Sequence, residues 1–356
     1  MKRNGKVELL RFVFMLAVLF YHLNKDYFDA NLTFELAGLR WSFFDHGRNG
    51  VEFFLLVTGF LTAKSVWDHR GEPCDGSLWQ DTARMLYKKI DSFFLPHILL
   101  MGATIVLALC TIADPLTYIL NRLPSIFFLQ RTGLSSASFA NVEWYLASML
   151  LGLAILYPLL KKWYDFTTLW LAPIGGSLLI GYLTMAHGNL PGDTSFYAFS
   201  YGCNLRAIAV LLMGTFAFRV SQMLRDHKWS SAKQRGLAIT ENVLWAVSLL
   251  YLVSTLRFKY EAYLVYTMGA ALAITFSRDV TSTFYNSRAV AYLGRISLTV
   301  YLSQNLVRMM VNPWVRRGLP AWAGVLIVTA GTLLLGILLD RLLVWRNQRR
   351  AKKNIG

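Results

Sequence analysis

Apolar residues run in ten long stretches, at about 9–24, 50–67, 94–113, 142–160, 169–187, 203–222, 241–256, 262–277, 289–311 and 320–345, with polar residues gathered in the short segments between them. At 1.5 Å of rise per residue such runs reach about 24–39 Å, enough to cross the hydrocarbon core of a bilayer. The pattern predicts an all-α polytopic membrane bundle of about ten transmembrane helices. No connecting segment exceeds about thirty residues and no internal repeat of helical units is visible, so residues 1–356 are expected to form a single integral membrane domain without an appended soluble one.

Composition sharpens this. Of the 356 residues, 55% are hydrophobic and only 16% charged, far from the balance of a soluble chain. The net charge of +16 would suggest nucleic acid in a soluble protein, but here the basic residues follow alternate loops. Counting Lys64 and Arg219 near the ends of their runs, twenty-two Lys and Arg fall in the segments on the amino-terminal side, against nine in the alternate loops. Both termini are therefore expected in the cytoplasm, at the cell membrane, with no nucleic-acid partner. Cys74, Cys110 and Cys203 are too few and scattered for a disulfide framework or a metal site. Lys2, Arg3 and Lys6 precede an apolar core as in a secretory signal, yet no small-residue cleavage site follows, so the first span reads as uncleaved.

Three connections stand out. Segment 25–49 ends in Asp45, His46, Gly47, Arg48, Asn49 and Gly50, a glycine-flanked turn leading into the second span. Segment 64–93 carries Arg84, Lys88 and Lys89 at i, i+4 and i+5, an arrangement that gathers cations for an anion at the cytoplasmic surface. Segment 115–141 mixes aromatic and aliphatic residues with few charges, and is expected to lie on or re-enter the outer interface.

Ionisable side chains inside a span point to function. The first span holds Arg11 and His22. Eleven steps of about 100° make three turns and roughly 20°, so both project from one face, about 16 Å apart along the axis. Alone, Arg11 could snorkel to lipid head groups and His22 could be an interfacial polar residue. Together with Tyr21 they place a cation and a titratable base on one stripe. Glu52 near the start of the second span and Glu143 at the start of the fourth sit on the outer side with His22, whereas Arg295 in the ninth lies toward the inner end. His46, His69, His97, His187 and His227 show no spacing that suggests metal ligation. Trp41, Trp144, Trp314 and Trp322 read as interfacial belt residues.

With these features the chain resembles the acyltransferase-3 family of membrane acyltransferases. That family is recognised by a basic residue, ten intervening positions and a histidine in its first span, matched by Arg11 and His22. GVEFFLLVTGF at Gly50–Phe60, the basic stretch from Arg84 to Pro96, the Trp-Tyr-Leu helix from Trp144 to Pro158 and Leu-Gly-Arg-Ile-Ser at Leu293–Ser297 also resemble its motifs, in order and over nearly the whole chain. The ninth helix departs: family members often carry an aromatic residue and a histidine after Tyr-Leu, where this chain has Ser303, Gln304 and Asn305.

The resemblance implies transfer of an acyl group, usually acetyl, from cytoplasmic acyl-CoA to a hydroxyl of a carbohydrate at or across the membrane. The expected donor is acetyl-CoA or another acyl-CoA, with no metal. The expected partners are a carbohydrate or lipid-linked glycan acceptor and membrane lipids. The residues fit this chemistry. Arg11, Arg84, Lys88, Lys89 and Arg295 would hold the donor's phosphates. His22 would take the acceptor's proton as general base. Glu52 or Glu143 would orient the imidazole or bind acceptor hydroxyls. The alternative from another class is a transporter or flippase with Arg11, His22 and Glu52 lining its pathway.

Overall fold

Each of the ten apolar runs falls on a helix in the computed structural model, which describes residues 4–29, 32–70, 76–135, 137–140, 143–190, 195–197, 199–256, 261–278 and 282–353. Lys2, Arg3 and Cys74 lie outside the described residues. In chain order the helices are α1 (Gly5–Phe28), α2 (Gly50–Asp68), α3 (Leu78–Thr111), α4 (Pro115–Leu120), α5 (Trp144–Lys162), α6 (Tyr164–Phe166), α7 (Gly176–His187), α8 (Gly202–Asp226), α9 (Ser231–Val253), α10 (Tyr263–Ser277), α11 (Arg288–Arg316) and α12 (Ala321–Lys353). Strands β1 (Thr33–Leu36) and β2 (Leu39–Ser42) form one antiparallel hairpin, and β3 (Phe196–Tyr197) and β4 (Ser200–Tyr201) a second. A π-helical stretch, Thr167–Gly175, joins α6 to α7 and contains Pro173, which has no N–H for the regular ladder.

Among the described residues eight helical segments are long and apolar enough to cross a membrane: Gly5–Phe28, Gly47–Asp68, Leu78–Thr111, Trp144–Lys162, Tyr164–His187, Gly202–Asp226, Ser231–Val253 and Ala321–Ala351. This is a multi-pass membrane protein. α10 is shorter, and α11 is long but turns polar side chains inward, with Ser297, Thr299, Ser303, Gln304 and Asn305 all buried.

The chain divides into two compact units. The first comprises Met1–Leu32, Lys88–Trp144 and Ser282–Gly356. In it α1 and α11 run parallel, with Glu8 beside Gly294 at one end and Arg308 bonded to Asp26 at the other. The Asn4 side chain starts α1 by accepting from the N–H groups of Lys6 and Val7, and Ser287 does the same for α11 through Val290. A Cβ at Gly294 would collide with the Glu8 side chain, so only glycine permits this approach. α12 returns antiparallel, with Gly336 against Val300 and Gly324 against Val315. Leu19, Leu23, Val307, Val311 and Val328 form the apolar seam.

Parallel packing fixes a parity. The chain that leaves the end of α1 must begin α11 on the side where α1 began, which takes an odd number of crossings between residues 28 and 288. Six of the eight long apolar segments lie in that interval, so α10 supplies the seventh, although its fifteen residues span only about 22 Å.

Segment 115–141, expected on or in the outer interface, folds back along α3 over its described residues. After the 3-10 turn Leu123–Phe127, Phe128 adopts a left-handed conformation and stacks on His97, ring centroids 4.3 Å apart. His97 lies fourteen residues before the end of α3, about 21 Å down its axis. Backbone at such depth needs partners from the protein. The Asn305 amide supplies one, donating to the Phe139 carbonyl at 3.1 Å.

The second unit comprises Thr33–Tyr87 and Tyr145–Thr281. α2 and α8 run parallel and touch backbone to backbone: a Cβ on Gly59 would meet the Leu211 carbonyl, and one on Gly214 the Leu56 carbonyl. α9 and α10 form an antiparallel pair in which Trp245 Nε1 donates to Thr275 Oγ1 at 3.0 Å and Thr275 donates to Glu241 at 2.8 Å. The β1–β2 hairpin is tied to the end of α9, Ser42 Oγ donating to the Ser254 carbonyl at 2.9 Å.

Candidate functional site

In the first unit α1 carries the predicted stripe. Arg11 and His22 are both half-buried. Arg11 contacts the buried Glu8 carboxylate one turn away, at 3.4 Å. Lys89 on α3 is half-buried and close enough to Arg11 for the two charges to act on each other, yet no described residue pairs with it. Two facing cations of this kind favour an anion between them. Lys88 and Arg84, earlier on the same helix, are exposed. Arg295 is also exposed, and its guanidinium forms a bidentate pair with the buried Asp340, 3.0 Å for each bond.

His22 sits one turn before the polar end of the α1–α11 pair. There Arg308 and Asn312 donate to Asp26 at 2.6 and 3.1 Å, and Tyr27 donates to Asn312 at 2.8 Å. Lys25 and Arg308 are the charges that act on His22. Its ring meets Tyr21 edge-on, 5.2 Å between centroids, and among the described residues no group hydrogen-bonds either ring nitrogen. A lone pair is thus open to a hydroxyl proton.

Glu143, also in the first unit, is fully buried and meets another histidine. His97 Nδ1 lies 2.9 Å from its carboxylate, and His97 Nε2 lies 3.3 Å from the Ile126 carbonyl. With both nitrogens engaged and Phe128 stacked on its face, His97 holds the folded-back segment against α3 and the start of α5. Both ring nitrogens face oxygens of the protein, so neither is open to a substrate.

In the second unit Glu52, 1% exposed, forms a buried pair with Arg206 of α8, 2% exposed. Near it Arg48 Nη2 donates to Glu261 at 2.9 Å, and His46 Nδ1 faces the other Glu261 oxygen at 3.4 Å while its ring stacks on Tyr251, 4.5 Å apart and 13° from parallel. Burial alone would raise the Glu261 pKa; the His46 contact and the Arg48 charge outweigh it and hold the carboxyl at about 2, against an ordinary 4.5. A depressed carboxylate pKa stabilises the fold above the ordinary range and loses that contribution as pH falls from about 4.5 to about 2, here about 3 kcal/mol. Thermal unfolding followed across this window is expected to show an acid step that Glu261→Gln lacks; identical profiles in the two proteins would refute the assignment.

Sequence reasoning missed Arg206, the His46–Arg48–Glu261 cluster and the partnership of His97 with Glu143. Arg206 carried a signal, a cation near the start of an apolar run. The other two join residues far apart in the chain, for which no local pattern exists. Among the described residues no group of three or more His, Cys, Asp or Glu is placed to hold a metal ion. A family model for an acyltransferase domain, that of acyltransferase-3, matches residues 4–341. No curated protein and no solved structure matches the chain.

Proposed function

The chain belongs to the acyltransferase-3 family of membrane acyltransferases, whose model covers nearly all of it, and from that premise we propose that it moves an acyl group, acetyl above all, from cytoplasmic acyl-CoA to a hydroxyl of a cell-surface glycan or its lipid-linked precursor. With both termini cytoplasmic, Arg11 lies toward the donor side and His22 toward the acceptor side. Lys89 and Arg11 hold phosphate, helped by Lys88 and Arg84 on the exposed part of α3; Arg295, engaged by Asp340, contributes positive potential at that end. The pantetheine arm then follows α1 outward over the roughly 16 Å between Arg11 and His22.

His22 takes the proton of the acceptor hydroxyl as its oxygen attacks the thioester carbonyl. The carbon–sulfur bond breaks, and the CoA thiolate leaves and takes up the proton from the imidazolium. A thiolate is a good leaving group, so no second strong acid is required. Glu143 is committed to His97.

One observation carries this reading: among the described residues a single helix presents a cation beside an unpaired lysine at one end and an unbonded imidazole at the other. Purified protein supplied with acetyl-CoA is expected to release free thiol only when a glycan acceptor is added, and Arg11→Ala to raise the apparent Michaelis constant for acetyl-CoA several-fold. Absence of thiol release with every acceptor fraction from the cell envelope would overturn the reading.

A further inference from the structure

His46, Asn49 and Glu52 occupy successive positions three residues apart where the 3-10 turn Gly47–Asn49 runs into α2. His46 has a near-helical backbone, φ −95° and ψ 9°, so the three side chains fall along one stripe. They are 7%, 2% and 1% exposed. Each keeps one polar atom that is buried without a hydrogen-bond partner: His46 Nε2, Asn49 Nδ2 and Glu52 Oε2. Buried polar atoms are ordinarily paired, and three open ones on one stripe call for a ligand that completes them.

We infer that these three residues form a recognition subsite for a neutral polyhydroxylated ligand, a sugar unit of the acceptor. The open atoms are already oriented. Arg206 holds the other Glu52 oxygen, and Glu261 faces the other His46 nitrogen, whose ring is backed by Tyr251. Glu261 takes His46 Nδ1 and leaves Nε2 open, Glu52 Oε2 accepts and Asn49 Nδ2 donates. A set that combines donor and acceptor atoms matches neighbouring hydroxyls, each of which both donates and accepts. A carboxylate in the set disfavours phosphate or uronate, and Arg48, already bonded to Glu261, does not offset it. The identity of the ligand as acyl acceptor rests on the acyl-transfer reading, whereas hydroxyl recognition rests on the geometry alone.

The test uses the full chain in lipid nanodiscs without acyl donor. Saturation-transfer NMR is recorded with the methyl glycosides of glucose, galactose, mannose and N-acetylglucosamine, and with methyl glucuronide. At least one neutral glycoside is expected to bind in preference to the glucuronide. Asn49→Leu, similar in size without the donor, and His46→Phe, which keeps the stacking on Tyr251, should each weaken binding by about tenfold or more. Should Asn49→Leu fail to fold, Asn49→Asp, which exchanges the donor for an acceptor, must give the same loss. No binding by any glycoside, a preference for the glucuronide, or equal binding by the variants would overturn the inference. Binding that depends on Asn49 in a protein that never releases thiol from acetyl-CoA would support the subsite and count against acyl transfer alone.

Discussion

Replacing His22 by alanine is expected to lower acyl transfer by about 10²–10⁴-fold, the range that loss of a general base produces, with little effect on stability. The two effects separate because of how the ring is held. It is half-buried, touches Tyr21 edge-on, and makes no hydrogen bond among the described residues, so its removal orphans no buried partner. His97→Ala differs in kind: it strips a partner from the buried Glu143 and from the Ile126 carbonyl, and should reduce the yield of folded protein. The measurement is thiol release from acetyl-CoA by purified protein, beside the unfolding midpoint in the same detergent. Turnover within threefold of the parent in His22→Ala would remove His22 as the base.

Arg206→Leu should be the most damaging single change to stability, costing about 3–5 kcal/mol, because it leaves Glu52 buried among helices without its counter-charge. Glu52→Leu reverses the problem onto Arg206. The double replacement by leucine should recover most of the loss, since a buried pair exchanged for apolar side chains of similar volume is often close to neutral. A double-mutant cycle on unfolding midpoints reads this directly: strong positive coupling is expected, and simple additivity of the two losses would show that the pair does not act as a unit. The double variant would also lack the Glu52 oxygen assigned to the acceptor, so its recovered stability and impaired sugar binding would part company.

Much of the fold is legible in the sequence. Period and length place the ten apolar runs on helices, since an apolar run is a local property, but not the short α4 and α6 or the polar first half of α3. The Arg11–His22 stripe is legible for the same reason: helical geometry alone turns a spacing into a shared face. Segment 115–141 was legible as interfacial or re-entrant, but the choice between these depended on Phe128 finding His97 and Asn305 finding the Phe139 carbonyl. Such contacts cross large sequence separations and leave no periodic trace. Glu52 and Glu143 show the limit most clearly. Both were singled out as outer carboxylates, yet one is committed to a histidine and the other to an arginine, and nothing in their neighbouring residues distinguishes them. α10 is an intermediate case: its composition marks it as apolar, and only the parallel run of α1 and α11 assigns it a crossing.

The folded-back segment also sets an order of events during synthesis. Its Phe139 carbonyl is satisfied by Asn305, 166 residues later in the chain, and at about 5–20 residues per second α11 leaves the ribosome roughly 8–33 s after that carbonyl does. Until then the exposed peptide group at Phe139 finds partners only in water or among head groups, since hydrocarbon offers it nothing. The last of the segment's contacts is therefore made late in assembly, after most of the helices are in place, and a nascent chain that stops before Arg288 keeps the His97 contacts but lacks the bond that satisfies the Phe139 carbonyl.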